Sequence, residues 1–438
     1  MSGSAETGVP AERAGKLFYG WRVAGACFLN LFAIVGIMYY SFPVFYSPLI
    51  QEFGWSRAQV TAGFAVSIVV VGPLFGIMGG ILIDRLGPKK ILLFGLFAAG
   101  AAFAGYGFMS ALGMFYLLYF MQTAGYVMAG PIPNQVLISR WFDRRRGRAM
   151  ALAYVGAGIG GAIAPVLAQF LISNIGWRSA MHAISAGILL VLVPVSWVVI
   201  KNHPRDVGCL ADGSSDPAGP TRAPAAKDTL KSLHRVFRTR EFWLIALGSF
   251  LSIGAVGGLI QHFVLFLRDR GLDAERSAGV ASFLLVASIL GRVVMGWLAD
   301  RIPKKYVMLI AFSAVAGAVP LLYTGDVSRM AYVFAAVFGF GMGADYMMIP
   351  LMTAECFGVG SLGKLMGIII TTDSLGQAFT PVIVGRLFDV HRNYNLGFAL
   401  VAAMAVAGAV TVVFIRPDRA RARIAESAAP TAPSPEGP

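Results

Sequence analysis

The chain has 438 residues, of which 57% are hydrophobic and only 13% are charged, and its formal net charge is +14. Soluble globular domains carry roughly 25% charged residues, so this composition excludes an ordinary soluble protein and favours a chain dissolved in a lipid bilayer. The cysteines Cys27, Cys209 and Cys356 are far apart, which excludes a disulfide framework and a zinc motif. We therefore expect a membrane protein without a metal or other cofactor.

Apolar stretches with almost no charge recur along the whole chain. Each is long enough to cross the hydrocarbon core as a helix of roughly 20 residues, which predicts an all-α membrane protein with twelve transmembrane helices. Prolines inside the longer stretches predict kinks. The stretches are 23–50, 58–83, 91–110, 112–139, 149–173, 178–200, 242–267, 276–299, 306–324, 330–354, 365–388 and 394–415. The prolines are Pro43, Pro131, Pro133 and Pro350.

The segments between and beyond these stretches divide the chain into two halves. Residues 1–18 form a polar tail that lacks the apolar core of a cleaved signal peptide. Residues 417–438 are basic and then rich in Pro, Ala and Ser, which predicts a disordered tail. The long internal loop 201–240 is predicted to be a linker whose second part forms a surface helix. Six-helix bundles are then expected at 19–200 and 241–416.

The distribution of basic residues predicts the orientation. Most Lys and Arg residues fall on the side of the predicted topology that holds both tails, and Arg292 lies within a stretch. Because cytoplasmic loops are enriched in Lys and Arg, we expect both termini in the cytoplasm, and the compact loops suit a bacterial inner membrane. The positive net charge then reflects topology, and we expect no binding of nucleic acid.

The two halves repeat each other at an offset of 216 residues without a gap. Two similar halves in the same orientation indicate parallel repeats around an axis along the membrane normal. Such repeats are typical of transporters that rock around a substrate site between the halves near the middle of the membrane. The aligned pairs are Gly80 and Gly296, Asp84 and Asp300, Arg85 and Arg301, Lys89 and Lys305, Arg148 and Lys364, Met150 and Met366, Gly160 and Gly376, and Pro165 and Pro381.

Two copies of one motif carry a resemblance to a known family. "GGILIDRLGPKK" (79–90) resembles the loop 2–3 motif of the major facilitator superfamily, and "GWLADRIPKK" (296–305) resembles its second-half copy, with Pro303 in place of the usual Gly. The resemblance implies the two-bundle fold and a cytoplasmic gate. In it, each aspartate accepts from the N-terminus of a neighbouring helix or pairs with Arg; the alternative is a charge cluster that only sets topology. The implied gating residues are Gly80, Asp84, Arg85, Gly296, Asp300 and Arg301.

Two further segments resemble one branch of this superfamily. "YGWRV" (19–23) and "WFDRRRGRAMALAYVG" (141–156) are similar to the monocarboxylate porter and oxalate–formate antiporter branch. The resemblance implies that the cargo is a small organic anion.

Ionisable side chains inside the predicted spans are the strongest candidates for function, since each costs about 2.5–3.5 kcal/mol on insertion scales. The resemblance implies that Arg292 binds the substrate carboxylate, and a planar guanidinium suits a carboxylate. The alternative is a structural pair with Asp345 or Asp373. Both aspartates and His262 are candidate proton carriers; the alternatives are charge balance for Arg292 and, for His262, a satisfied histidine at a helix end.

The sequence departs from the branch at the positions that would refine this picture. Ser288 stands where eukaryotic relatives carry an Asp, and Val44 follows Pro43 where they carry a Lys. The core of the eleventh stretch lacks the Lys of the oxalate antiporters. One buried Arg without a second cation favours a singly charged anion over oxalate.

Weaker candidates for substrate binding are uncharged polar residues inside the spans. Each could equally bond a neighbouring helix. They are Tyr39, Tyr126, Asn134, Gln261, Tyr346, Thr372 and Gln377.

The leading functional hypothesis is a secondary transporter that moves a lactate- or pyruvate-like monocarboxylate with protons by alternating access. The alternatives are an oxalate–formate type antiporter, a facilitator of drugs or other solutes, and a transport-inactive sensor. Gly156, Gly158 and Gly161 match a dinucleotide-binding pattern, but no strand precedes them and no acidic residue lies between Asp143 and Asp206. We therefore expect neither an enzyme nor a nucleotide partner; the sequence gives no indication of oligomeric state.

Overall fold

The computed structural model describes residues 18–56, 59–60, 62–63, 72–212 and 235–426. Within these ranges the chain forms helices joined by turns and loops, and its one β contact is an isolated bridge between Phe142 and Asp212. The first half contains α1 (Tyr19–Ala33), α2 (Tyr46–Phe53), α3 (Gly72–Leu86), α4 (Pro88–Gly107), α5 (Leu112–Ala129), α6 (Pro131–Trp141), α7 (Arg146–Ala186) and α8 (Val193–Val199). The second half contains α9 (Arg240–Asp269), α10 (Ala274–Ala299), α11 (Lys304–Ala318), α12 (Val327–Phe357), α13 (Leu362–His391) and α14 (Asn395–Val413), followed by α15 (Pro417–Glu426).

The helices agree with the twelve predicted crossings of an all-α membrane protein. Ten continuous helical segments of the described chain are long and apolar enough to cross a membrane. One of them, Arg146–Val199, contains two predicted stretches, which Gly176 separates at φ 78°, a backbone conformation that glycine adopts without steric cost. The predicted stretch 58–83 forms α3 from Gly72 onward, and most of its beginning lies outside the described residues.

The predicted proline kinks fall into two groups. Pro43 lies at the start of a 3₁₀ segment, Phe42–Phe45, that separates α1 from α2 after a π-helical segment. Pro131 begins α6 after the helix breaks at Gly130. In contrast, α12 continues through Pro350 with helical backbone on both sides.

The C-terminal tail corrects one prediction. Disorder was expected throughout 417–438, but α15 forms its first part, and residues 427–438 lie outside the described residues. This helix is anchored because Arg421 Nε donates to the backbone oxygen of Glu355 at 2.7 Å and Ala420 is fully buried. Most of the surface helix predicted in the linker also lies outside the described chain, which resumes at residue 235.

The repeat found in the sequence reappears as repeated contacts. Lys89 Nζ donates to the backbone oxygen of Trp197 at 2.5 Å, and Lys305 Nζ donates to that of Val413 at 2.6 Å. Both members of the second pair lie 216 residues after those of the first. The halves therefore share a scaffold at the level of single hydrogen bonds.

Glycines allow the long helices to touch along their backbones. A Cβ at Gly156 or Gly160 of α7 would collide with the backbone oxygens of Phe28 or Phe32 in α1. Close backbone approach of this kind is how helices pack in lipid, where no hydrophobic force draws them together. The glycine-rich pattern of α7 thus serves helix packing.

We expect Gly160→Ala to destabilise the protein, because overpacking against a backbone carbonyl costs about 1–3 kcal/mol. Gly317→Ala is the matched control, since no atom lies within 4 Å of its added Cβ and alanine favours a helix over glycine by up to about 1 kcal/mol. Thermal unfolding of the purified protein in detergent measures both variants. An unchanged melting temperature for Gly160→Ala would contradict the packing role.

Candidate functional site

Arg292 is a cation of the second half that forms no ion pair with the described residues. Its Nη1 donates to Ser288 Oγ, one turn earlier on α10, at 2.9 Å, and its buried Nε has no hydrogen-bond partner. None of the ion pairs among the described residues includes Arg292. The structural pair considered as an alternative is therefore not formed in this conformation, and the guanidinium keeps donors available for an anion.

A glycine in the opposite half makes room for this guanidinium. A Cβ at Gly158 of α7 would lie 2.9 Å from Arg292 Nη1. Arg292 therefore lies at the interface between the halves, against a position where any side chain would displace it.

Two of the three predicted proton carriers, the aspartates, are completely buried, and each has one oxygen without a hydrogen-bond partner. Asp345 Oδ1 accepts from the N–H of Tyr346 at 2.5 Å, and Asp373 Oδ1 accepts from Ser249 Oγ at 2.6 Å. The Oδ2 atoms of both residues lack a hydrogen-bond partner. An ionised carboxylate in this situation is costly, whereas a protonated one is tolerated.

Four tyrosines, Tyr119 among them, line a cavity of about 150 Å³ between the two halves. Tyr39 and Tyr126 come from the first half, and Tyr346 comes from the second together with Gln377. We call this cavity the tyrosine chamber. It brings together four of the predicted substrate-binding residues, and no acidic or basic side chain of the described chain is among those that line it.

The remaining predicted polar residues have other surroundings. Asn134 is fully buried and its Nδ2 donates to the backbone oxygens of Ala129 and Gly130, at 2.9 and 2.6 Å. The carbonyl of Ala129 loses its helical partner because Pro133, four residues later, lacks an N–H, so Asn134 stabilises the break between α5 and α6.

Three more predicted residues also lie away from the chamber lining. Thr372 donates to the backbone oxygen of Ile369 at 2.7 Å within its own helix, and Gln261 is exposed. His262 Nε2 lies 2.9 Å from the backbone oxygen of Pro381. Since a carbonyl only accepts, Nε2 carries the proton in this bond.

Sequence reasoning missed several residues of this region. Ser249, which binds Asp373, could not be identified because one serine in an apolar helix gives no signal of its own. Gln122 lines the chamber but was not among the predicted binding residues. Gln135 donates a short hydrogen bond to Tyr154 Oη. In the sequence, Gly158 is conspicuous only as part of a dinucleotide-like glycine pattern.

Four backbone N–H groups bind the two gate aspartates across the halves. Asp84 accepts from the N–H groups of Gly363 and Lys364 at the start of α13, at 3.2 and 3.1 Å. Asp300 accepts from the N–H groups of Gly147 and Arg148 at the start of α7, at 2.6 and 3.2 Å. These first-turn N–H groups have no partner inside their own helix.

One gate aspartate has a side-chain partner that the other lacks. Arg148 Nε donates to Asp300 at 2.9 Å, whereas Nζ of its repeat counterpart Lys364 is buried without a hydrogen-bond partner. Arg85 and Arg301 of the predicted gating set are exposed, and Arg301 stacks on Trp297 at 3.4 Å from the ring centroid.

The gate glycines allow the backbones of opposite halves to meet. A Cβ at Gly80 would collide with the backbone oxygen of Gly363, and one at Gly296 would lie 2.7 Å from that of Gly147. The contacts close one side of the bundle, on which the described chain begins at Phe18. We call this side the terminal face, and it comprises residues 18–22, 84–90, 139–148, 300–306 and 355–364.

Comparison with known proteins agrees with this architecture. The family model described as Major Facilitator Superfamily matches residues 27–319 and 277–437. Monocarboxylate transporter 13 of Rattus norvegicus is 27% identical over 401 residues, 90% of this chain and 88% of the relative. Monocarboxylate transporter 11 of Homo sapiens is 28% identical over 405 residues, 89% and 81% of the two chains.

Solved structures share the fold at low sequence identity. The structure of the transporter FucP in the outward conformation has a TM-score of 0.70 at 16% identity and covers 91% of this chain and 100% of its own. That of the proton:xylose symporter XylE has a TM-score of 0.65 at 15% identity and covers 91% and 96%. With the two repeated halves, their gate and the match of the family model over most of the sequence, the chain belongs to the Major Facilitator Superfamily and is a membrane transporter of its monocarboxylate branch.

Proposed function

We propose that this transporter carries a small organic monocarboxylate together with protons by alternating access, and that the terminal face is cytoplasmic. The observation that supports this most is the guanidinium of Arg292, which lies between the halves, forms no ion pair with the described residues and has an Nε without a hydrogen-bond partner. A carboxylate would satisfy the remaining donors of Arg292 in a planar arrangement. The relatives named monocarboxylate transporters support the same class of cargo.

The arrangement of charges favours a singly charged anion. Within the described chain, Arg292 is half-buried, and Lys364, the fully buried cation of the second half, lies at the terminal face beside Asp84. Arg292 therefore acts alone at its depth, and a dicarboxylate would leave one charge unpaired inside the protein. An oxalate–formate type antiporter remains the alternative within the branch.

Proton coupling is proposed for Asp345 and Asp373. Both are fully buried with one free oxygen, so each can hold a proton when closed off from water and lose it when a gate opens to solvent. Asp345 follows Ala344 on α12, next to Tyr346 of the chamber lining, whereas Asp373 contacts α9 through Ser249. Both carboxyls thus lie on helices that would move with the second half.

We expect Arg292→Gln to lower monocarboxylate uptake into proteoliposomes by roughly tenfold to a hundredfold, since hydrogen bonds to a charged group are worth about 1.5–3 kcal/mol. Arg292→Lys should retain part of the activity because lysine keeps the positive charge but lacks the planar guanidinium that can bind a carboxylate with two hydrogen bonds. The matched control is Arg276→Gln, whose side chain is 71% exposed. Wild-type uptake by Arg292→Gln would refute the carboxylate site.

Asp345→Asn and Asp373→Asn are expected to abolish the stimulation of uptake by an inward proton gradient while preserving counterflow of labelled substrate at equal pH. The reason is that an amide keeps the shape of a protonated carboxyl and cannot release a proton. Asp326→Asn, which alters only the first turn of α12, is the control. Retention of pH-driven uptake in both variants would exclude these carboxyls as proton carriers.

Removing a gate carboxylate should loosen the terminal face. We expect Asp300→Asn to increase amide hydrogen exchange in the peptides that contain Gly147 and Arg148, because a neutral amide is a weaker acceptor and leaves Arg148 without its ion pair. Asp273→Asn, which caps only its own helix, should leave these peptides unchanged. Equal protection in Asp300→Asn and wild type would mean that other contacts hold the gate.

A further inference from the structure

The tyrosine chamber has the volume of a cavity that holds one aromatic ring. Its volume is about 150 Å³, and an apolar protein cavity of roughly 150 Å³ binds benzene. The chamber therefore fits a six-membered ring.

The walls of the chamber favour a flat and uncharged occupant. The rings of Tyr39 and Tyr126 are stacked with centroids 6.4 Å apart, and Tyr346 lines the chamber from the opposite half. Ring faces at such spacing are suited to a further aromatic or apolar ring. Since no charged side chain of the described residues lines the space, a charged group placed there would be unpaired.

Two hydroxyl groups of the chamber lining have already donated their protons to the backbone. Thr371 Oγ1 donates its proton to the backbone oxygen of Gly367 and Ser374 Oγ donates to that of Ile370, both at 2.8 Å. Both hydroxyls line the chamber and retain only lone pairs for a ligand.

Gln122 supplies an acceptor that no protein group satisfies. Its side chain is 2% exposed and lines the chamber, and its Nε2 lies 3.4 Å from the backbone oxygen of Met38. A carbonyl only accepts, so this contact fixes the amide nitrogen toward Met38. The Oε1 atom is buried without a partner, which costs free energy that a donor on the ligand would recover.

We propose that the cargo is an aryl monocarboxylate whose ring carries a hydroxyl or N–H group, and that the ring occupies the tyrosine chamber with its donor on Gln122 Oε1. This inference rests on the proposed function, since it assigns the carboxylate to Arg292. The chamber then selects among monocarboxylates by the body of the molecule.

The chamber and Arg292 are close enough for one molecule of this kind. A Cβ added at Gly158 of α7 would lie 2.9 Å from Arg292, and one added at Gly161 would lie 2.9 Å from the ring of Tyr40. Three residues advance a helix by about 4.5 Å, and Tyr40 packs on Tyr39 with centroids 5.1 Å apart. The ring of Tyr40 therefore lies between the cation and the chamber wall formed by Tyr39, a distance that an arylacetate spans when the Tyr40 ring turns aside.

The test is uptake of labelled lactate, phenylacetate and para-hydroxyphenylacetate by the full-length protein in proteoliposomes. Wild type should take up para-hydroxyphenylacetate with the lowest KM and lactate with the highest. Gln122→Leu should raise the KM for para-hydroxyphenylacetate roughly fivefold, the worth of one neutral hydrogen bond, and leave phenylacetate unchanged. Gln169→Leu, at an exposed glutamine that contacts only Ser173, is the control.

The outcomes separate this inference from the proposed function. Saturable lactate uptake without preference for either aryl acid overturns the inference and leaves monocarboxylate transport intact, whereas no uptake of any acid defeats the proposed function. Competition by neutral xylose as strong as that by para-hydroxyphenylacetate would also overturn the inference, because xylose lacks a carboxylate. The wild-type preference needs no variant, so it decides the matter even if Gln122→Leu does not fold.

Discussion

Two aspartate carboxylates join the halves of this protein by capping helices that belong to the opposite half. Asp84 binds the first N–H groups of α13, and Asp300 binds those of α7. These groups lack partners within their own helices, and the positive end of the helix dipole adds to the attraction. Glycines at the crossing points remove the side chains that would keep the backbones apart. The interface, and the cavity enclosed above it, depend on this closure.

The same two helices show how a repeated scaffold acquires different roles in its two copies. Both α7 and α13 receive a gate aspartate at their first turn, and both contain a proline at the repeated position. Further along, Ala157 and Gly158 of α7 correspond to Asp373 and Ser374 of α13. In α7 the small side chains leave room for Arg292 of the other half. In α13 the same positions supply the buried carboxyl of Asp373 and the hydroxyl of Ser374 in the chamber lining.

Backbone breaks decide which polar side chains are left for a ligand. Asn134 and Gln122 flank the same break between α5 and α6, and both are buried amides. Asn134 uses both of its N–H donors on backbone carbonyls at the break, while Gln122 makes one long bond and keeps a buried oxygen without a partner. In a bilayer, where water does not compensate such groups, this difference separates a structural amide from a binding one.

The sequence alone determined the helical membrane fold, the two repeated halves and the superfamily, because apolar length and a constant offset need no tertiary information. It also singled out Arg292, Asp345 and Asp373, since any charge within an apolar stretch is conspicuous. Only the tertiary structure decided which groups meet: Asp373 with Ser249, and Arg292 with a glycine. Partners in a helical bundle are set by helix rotation and crossing, which residues far apart in the chain fix together. The helical α15 likewise depended on Glu355, a distant partner that the local composition of the tail does not reveal.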